Sequence, residues 1–328
     1  MMIAFLNGEF IPLSQASLPV WDYGFTMGVT LTEQLRTYRG KVPLLRFSLD
    51  RLQRGLETLE ITLPESRSQL EDLVSELVRR NQSQVDQDID WSIGISVTPG
   101  LHAARAPVEG RPFKGNQEET GLAIHSPRPT LLLYALPLQY HWAGSYQEGV
   151  ALQTVSVREI PPTSIPRHLK TRSRIHYYLA EQQASRKAPG SFALLQQLDG
   201  SIAEGTTSSL GLVEGNGLVF PPEEDVLASL SVRFLEEVLC PQLKIPVRRA
   251  PLSLTQIYEA DELLWLSTPS AVLPVKSVDG RAIGRSAESP PSWPLFQRLI
   301  KAWSDRVGID IVEQAIKGKT GNKSNKSN

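Results

Sequence analysis

The chain of 328 residues contains a single cysteine, Cys240. No internal disulfide can form, and no zinc site can be built on cysteine ligands. A reducing compartment is therefore expected, and the cytoplasm is the predicted location. Long apolar runs are missing too. Leu131 to Leu138 is among the longest, far short of the ~20 residues that cross a bilayer as a helix, so no membrane partner is expected. The opening residues MMIAFLNGEF have no basic segment ahead of an apolar stretch, and no secretory leader is predicted. Without a leader, the Asn81-Gln82-Ser83 triplet is not expected to carry glycan. Neither sign of charge is in excess. The 34 Lys+Arg and 35 Asp+Glu leave a net charge of -1, which argues against a general nucleic-acid binder, because such proteins carry a basic surplus. Several catalytic signatures are also absent: no G-x-x-x-x-G-K-[ST], no H-E-x-x-H, no C-x-x-C and no G-x-S-x-G. Gly318-Lys319-Thr320 lacks the upstream glycine of a phosphate loop. The histidines His102, His125, His141, His168 and His176 are scattered, and no metal site is predicted.

Apolar residues make up 41% of the chain, enough for a packed core. The length fits two domains, or one large unit. The N-terminal part predicts a strand over Met2–Leu6, an Asn7-Gly8 hairpin turn and a return strand over Glu9–Leu13. A second hairpin is expected at Arg39-Gly40, between Leu35–Tyr38 and Val42–Leu45. Leu49, Leu52, Leu56 and Leu59 fall on one helical face, with Ser48 read as the N-cap. Leu70, Leu73, Val74, Leu77 and Val78 mark a second helix. Trp91–Val97 alternates as a strand does, residues 100–121 read as a long loop, and Leu131–Leu138 reads as a buried strand.

The second half starts with a strand over Val150–Val157. Pro161, Pro162 and Pro166 then impose an extended path, and a helix is predicted over Thr171–Arg186. Hairpins are expected at Asp199-Gly200 and at Gly215-Asn216-Gly217. A helix carries Leu230, Phe234, Leu235, Val238 and Leu239. Further strands are read at Val247–Ala250, Glu262–Leu266 and Val272–Val278, and a last helix at Trp293–Arg306. The tail Lys317–Asn328 has no apolar residues and is expected to be disordered. The fold class is α+β, with domains at 1–138 and 149–316 joined by a linker at 139–148.

Among the lysines, Lys170 stands out. It follows a proline-fixed segment and is read as opening a helix. Arg167, His168, Arg172 and Arg174 surround it in sequence. Like charge favours the neutral amine, the form that Schiff-base chemistry needs. From composition alone, a solvated basic helix start is the favoured explanation of the same cluster.

The sequence resembles the class-IV aminotransferases, the fold-type IV pyridoxal-phosphate enzymes. Phe5-Leu6-Asn7-Gly8-Glu9-Phe10-Ile11-Pro12 is similar to their N-terminal hairpin. Asp22-Tyr23-Gly24-Phe25, Gly28 and Glu33 resemble the stretch D-x-G-x-x-x-G-D-G-V-F-E. Ser48-Leu49-Asp50-Arg51-Leu52 is similar to H-L-D-R-L. His168-Leu169-Lys170-Thr171 with Leu179-Ala180 resembles the reactive-lysine segment. Leu198 through Ser209 is similar to L-D-x-x-G-x-v-x-E-g-x-x-S-N. Ala260-Asp261-Glu262, Thr268 through Val275 and Asp279-Gly280 follow in the family's order.

The resemblance implies a fold of two parts, a small N-terminal α/β sandwich and a larger C-terminal pseudo-barrel. It implies pyridoxal 5'-phosphate as cofactor, a small-molecule amino acid and a 2-oxoacid as substrates, and a homodimer. Lys170 would hold the cofactor as a Schiff base and shuttle the substrate proton. Glu204 would face the pyridine nitrogen. Arg51 would grip the phosphate, with the helix start at Leu230 and Ser231 and the Thr268 hydroxyl. On the substrate side the candidates are Thr32, Arg36, Arg105 and Ser270, with Arg172 a further choice for the carboxylate. Met27, Thr32 and Ile175 depart from the residues usual in relatives, and Leu210 stands where relatives have asparagine. Branched-chain or similar apolar amino acids lead as substrates. An aminodeoxychorismate lyase, or a non-catalytic cofactor-binding relative, stays open beside the transaminase.

Overall fold

A computed structural model of the chain describes residues 1–85, 89–102 and 128–324. It divides into two compact units. The first holds Met1–Leu138 and Leu169–Ser173, and the second holds Gln139–His168 and Arg174–Asn328.

The first unit is built on β1 (Ile3–Leu6), β2 (Glu9–Pro12), β3 (Leu31–Arg36), β4 (Trp91–Thr98) and β5 (Thr130–Pro137), with helices α1 (Tyr23–Thr26), α2 (Leu45–Thr58) and α3 (Arg67–Gln82). The strands form one antiparallel sheet in the order β2-β1-β5-β4-β3. The β1–β2 turn has Asn7 at φ 50° and Gly8 at φ 104°. These are the left-handed conformations that a two-residue hairpin requires, and Asn7 and Gly8 tolerate them. Trp91, Ile93, Ile95 and Val97 are fully buried, as the alternation predicts. Leu49, Leu52 and Leu56 on α2, and Leu70, Val74, Leu77 and Val78 on α3, bury the helical faces, with α2 over β3 and α3 over β1 and β5. Ser66 and Gln69 close a capping box at the start of α3.

Two local expectations change here. Arg39 and Gly40 do turn, at φ 49° and 77°, but pairing stops at the single Tyr38–Lys41 bridge. The Leu45 N–H then turns back to the Val42 carbonyl, and the chain enters α2 instead of a second strand. Ser48 is inside α2 and buried. Its hydroxyl caps nothing and has no hydrogen-bond partner among the described residues.

The second unit contains α4 (Ser145–Glu148), β6 (Val150–Arg158), α5 (Ile175–Lys187), β7 (Phe192–Gln196), β8 (Ile202–Gly205), β9 (Ser209–Glu214), β10 (Gly217–Phe220), α6 (Leu230–Phe234), α7 (Cys240–Leu243), β11 (Val247–Arg249), α8 (Leu254–Glu259), β12 (Glu262–Ser267), β13 (Ala271–Val278), β14 (Arg281–Ala282), α9 (Pro294–Val307) and α10 (Ile311–Ser324). Among its described residues, nine strands form one mixed sheet, ordered β11-β10-β9-β12-β13-β6-β7-β8 with β14 on β13. A π-helical stretch, Leu235–Leu239, joins α6 to α7. Ala180 and Ala184 let α5 pack closely on Ala193, Leu195 and Ala203 of β7 and β8. Glu262 is buried and accepts the N–H groups of Leu295 and Phe296 at 2.7 and 3.0 Å, completing the α9 N-terminus.

Helix α10 continues through Ser324, where the polar composition predicts no fixed structure. A Glu313–Lys317 pair one turn apart supports it, and Gly318 sits so close to the Tyr140 ring that no side chain would fit.

Candidate active site

Lys170 does not open a helix. The segment Leu169–Ser173 runs extended beside the start of β3, and helix α5 begins only at Ile175. The Thr32 N–H donates to the Lys170 carbonyl at 2.8 Å, and the Arg172 N–H donates to the Thr30 carbonyl at 3.0 Å. Thr171 forms a bridge with Leu31. The Ser173 hydroxyl donates to the Gly28 carbonyl at 2.9 Å. Gly28 has φ 69°, and a side chain there would meet Ser173. Lys170 is thus fixed at its backbone on both sides while its side chain is half-buried.

Strand β3 presents Thr32, Glu33 and Arg36, all buried. The Thr32 hydroxyl has no hydrogen-bond partner among the described residues. Arg51, on α2, grips Glu33 with both prongs: Nε to Oε1 at 2.8 Å and Nη2 to Oε2 at 2.5 Å. Arg36, expected on the substrate side, is held in the interior of the first unit. It is 1% exposed, lies 3.6 Å from Asp90, donates to the Thr37 carbonyl and stacks 4.0 Å over the Tyr38 ring. A guanidinium so committed is part of the core. Arg105 lies outside the described residues. Arg172 is exposed, and its backbone is tied to Thr30.

In the second unit, Glu204 lies on β8. Trp265 packs so tightly on the next residue, Gly205, that only glycine fits. The Glu204 carboxylate is buried, and three donors converge on one oxygen, Oε1: Arg167 Nη2 at 2.6 Å, the Leu227 N–H at 3.1 Å and the Tyr177 hydroxyl at 3.5 Å. Oε2 accepts none of them. Burial pushes the Glu204 carboxyl above the usual range, and the Arg167 charge pulls it back. Arg167 also donates from Nη1 to Glu159 Oε1 at 2.8 Å, and His176 meets that same oxygen at 3.0 Å. Burial alone would raise the Glu159 carboxyl, but the His176 hydrogen bond, the Arg167 charge and the Ile160 N–H together hold it below the usual range.

This cluster is what sequence reasoning missed. Arg167 reads as one of four cations around Lys170, yet two buried carboxylates compensate its charge. The one available signal was Glu159, an acid standing immediately before Ile160-Pro161-Pro162.

Ser231 is fully buried on α6, and its hydroxyl has no partner among the described residues. Ser229 caps that helix, accepting from the Val232 N–H at 3.4 Å. Leu230 contributes backbone there and buries its side chain. Thr268 is half-buried in the turn between β12 and β13. Ser270 is occupied: its hydroxyl pairs with that of Ser267 at 2.7 Å, and its carbonyl accepts from Tyr146 at 2.8 Å. An unpartnered buried hydroxyl beside a helix start, and a carboxylate with one oxygen unclaimed, suit a ligand that carries both a phosphate and a basic ring nitrogen. Among the described residues, no group of three or more His, Cys, Asp or Glu could hold a metal ion. No described helix is long and apolar enough to cross a membrane.

A family model described as amino-transferase class IV matches residues 30–278. A putative branched-chain-amino-acid aminotransferase of Methanocaldococcus jannaschii is 28% identical over 283 residues, covering 86% of this chain and 90% of the relative. A D-alanine aminotransferase of Bacillus licheniformis is 25% identical, covering 88% and 93%. A solved structure of the T.th. branched-chain amino acid aminotransferase, complexed with N-(5'-phosphopyridoxyl)-L-glutamate, superposes with a TM-score of 0.78 at 20% identity, covering 93% of this chain and 94% of that one. That likeness shows the fold.

Proposed function

The chain belongs to the amino-transferase class IV family, and on that premise we propose that it is a pyridoxal-phosphate-dependent aminotransferase. It would move an amino group between a branched-chain or similar apolar amino acid and a 2-oxoacid. The observation that carries this reading is Glu204, a buried carboxylate whose donors all converge on Oε1. When bound, pyridoxal phosphate supplies an electron-accepting ring that stabilises negative charge at the substrate α-carbon.

The side chains divide the work. Lys170 would anchor the cofactor and move the proton at the substrate α-carbon. Glu204 would hold a proton at the ring nitrogen through Oε2. Phosphate binding is the role that the family resemblance carries over to Arg51, kept in orientation by Glu33, and to the backbone of Leu230 and Ser231, the Ser231 hydroxyl and the Thr268 hydroxyl. Thr32, with its unpartnered buried hydroxyl, is the favoured contact on the substrate side.

We further propose a homodimer working in the cytoplasm. The dimer reading is supported by Ile175, Tyr178 and Leu179, three exposed apolar residues on one face of α5. A panel of L- and D-amino acids, each mixed with the cofactor-loaded protein and followed by cofactor absorbance, tests the function. Conversion by L-leucine, L-isoleucine or L-valine is expected. Pyruvate release from aminodeoxychorismate without any 2-oxoacid acceptor would instead make the protein a lyase.

A further inference from the structure

We infer that Arg167 is a positioning residue: its bridge between Glu159 and Glu204 keeps the Glu204 carboxylate ionised and turned so that a proton shared with the cofactor ring rests on the ring nitrogen. The inference rests on the cofactor reading above.

Arg167 is 9% exposed, Glu159 is 0% and Glu204 is 4%. Each carboxylate receives one guanidinium nitrogen, at 2.8 and 2.6 Å. Two buried anions therefore share one permanent cation. The other groups facing the pair are His176 on Glu159 Oε1, the Tyr177 hydroxyl and the Leu227 N–H on Glu204 Oε1, and Asp225, which lies within electrostatic range of Arg167. Arg174 stacks 5.8 Å over the Tyr177 ring.

A proton between a buried carboxylate and a ring nitrogen rests on the stronger base. A guanidinium on the carboxylate weakens that base, so the proton stays on nitrogen. Without Arg167, Glu204 faces Glu159 uncompensated, and repulsion between like charges favours moving the proton to the carboxylate. Geometry acts in the same direction. Arg167 occupies Oε1 and leaves Oε2 as the oxygen that can accept a hydrogen bond.

The test uses cofactor labelled with nitrogen-15 in the ring and reads the nitrogen shift of the bound form by NMR. Wild type is expected to show a protonated ring. Arg167→Met is expected to move the signal downfield to the unprotonated position. The double variant Arg167→Met with Glu159→Gln removes one cation and one anion together, and it is expected to return the signal to the protonated position. An Arg167→Met protein that keeps the wild-type shift overturns the inference, as does a double variant that stays unprotonated. Should Arg167→Met alone fail to fold, the double variant decides by the same criterion. A purely structural role would not be rescued by restoring charge balance. A wild-type protein that binds no cofactor would instead defeat the cofactor reading itself.

Discussion

Arg51 on α2 and Glu33 on β3 form a two-pronged ion pair, at 2.8 and 2.5 Å, with side-chain exposures of 3% and 1%. The pair ties the helix to the strand and fixes the guanidinium plane. Removing one partner of a buried pair leaves the other charged and unsatisfied, at a cost of about 3–5 kcal/mol. Glu33→Gln should lose stability in this range in urea unfolding. The double variant Glu33→Gln with Arg51→Met should be more stable than Glu33→Gln alone, while binding pyridoxal phosphate more weakly than wild type.

Cys240 is buried at the start of α7, and burial, with Glu236 nearby, pushes its thiol up to about 12. A protonated, enclosed thiol is a poor nucleophile. Folded protein at pH 8 should leave a thiol reagent unreacted over the time that denatured protein reacts with one equivalent. Rapid labelling of the folded protein would contradict the placement.

Glu262 gives a pH dependence with a definite sign. Burial raises its carboxyl above the ordinary 4.5, and the Leu295 and Phe296 N–H groups only partly oppose this. Between the unfolded and folded values the native state binds more protons, so stability falls as pH rises. Stability of wild type relative to Glu262→Gln should therefore decline as pH rises from 4.5 toward neutrality in denaturant titrations. A rise over the same window would contradict the burial.

The exposed α5 face bears on assembly. Leu179 is 49% exposed and Tyr178 is 67% exposed. If these residues meet a second copy, Leu179→Glu should shift the sedimentation coefficient to that of a monomer while far-ultraviolet dichroism stays unchanged.

Much of this architecture was legible in local chemistry. The Asn7-Gly8 turn, the leucine faces of α2 and α3, and the strand alternation at Trp91–Val97 are set by residues close together in sequence. Three misreadings share a different cause. Helix α5 starts later than the local pattern predicts because the extended conformation at Lys170 depends on Thr30 and Thr32, far away in the chain. Arg36 reads as a ligand group because Asp90, its partner, comes only after α2 and α3 in the sequence. Arg167 reads as part of a basic cluster because one of its carboxylates, Glu204, comes from β8, and the nearer one, Glu159, shares no helix or strand periodicity with it. Partners distant in sequence decide which charges are spent inside the protein, and periodicity carries no record of them.

The proposed chemistry depends on Lys170, and one measurement addresses that residue most directly. The cofactor-loaded protein is reduced with borohydride, digested, and its peptides are read by mass spectrometry. The prediction is one phosphopyridoxyl adduct per chain, on Lys170, that vanishes in Lys170→Ala. An adduct on another lysine with Lys170 unmodified, or no adduct at saturating cofactor, would contradict it.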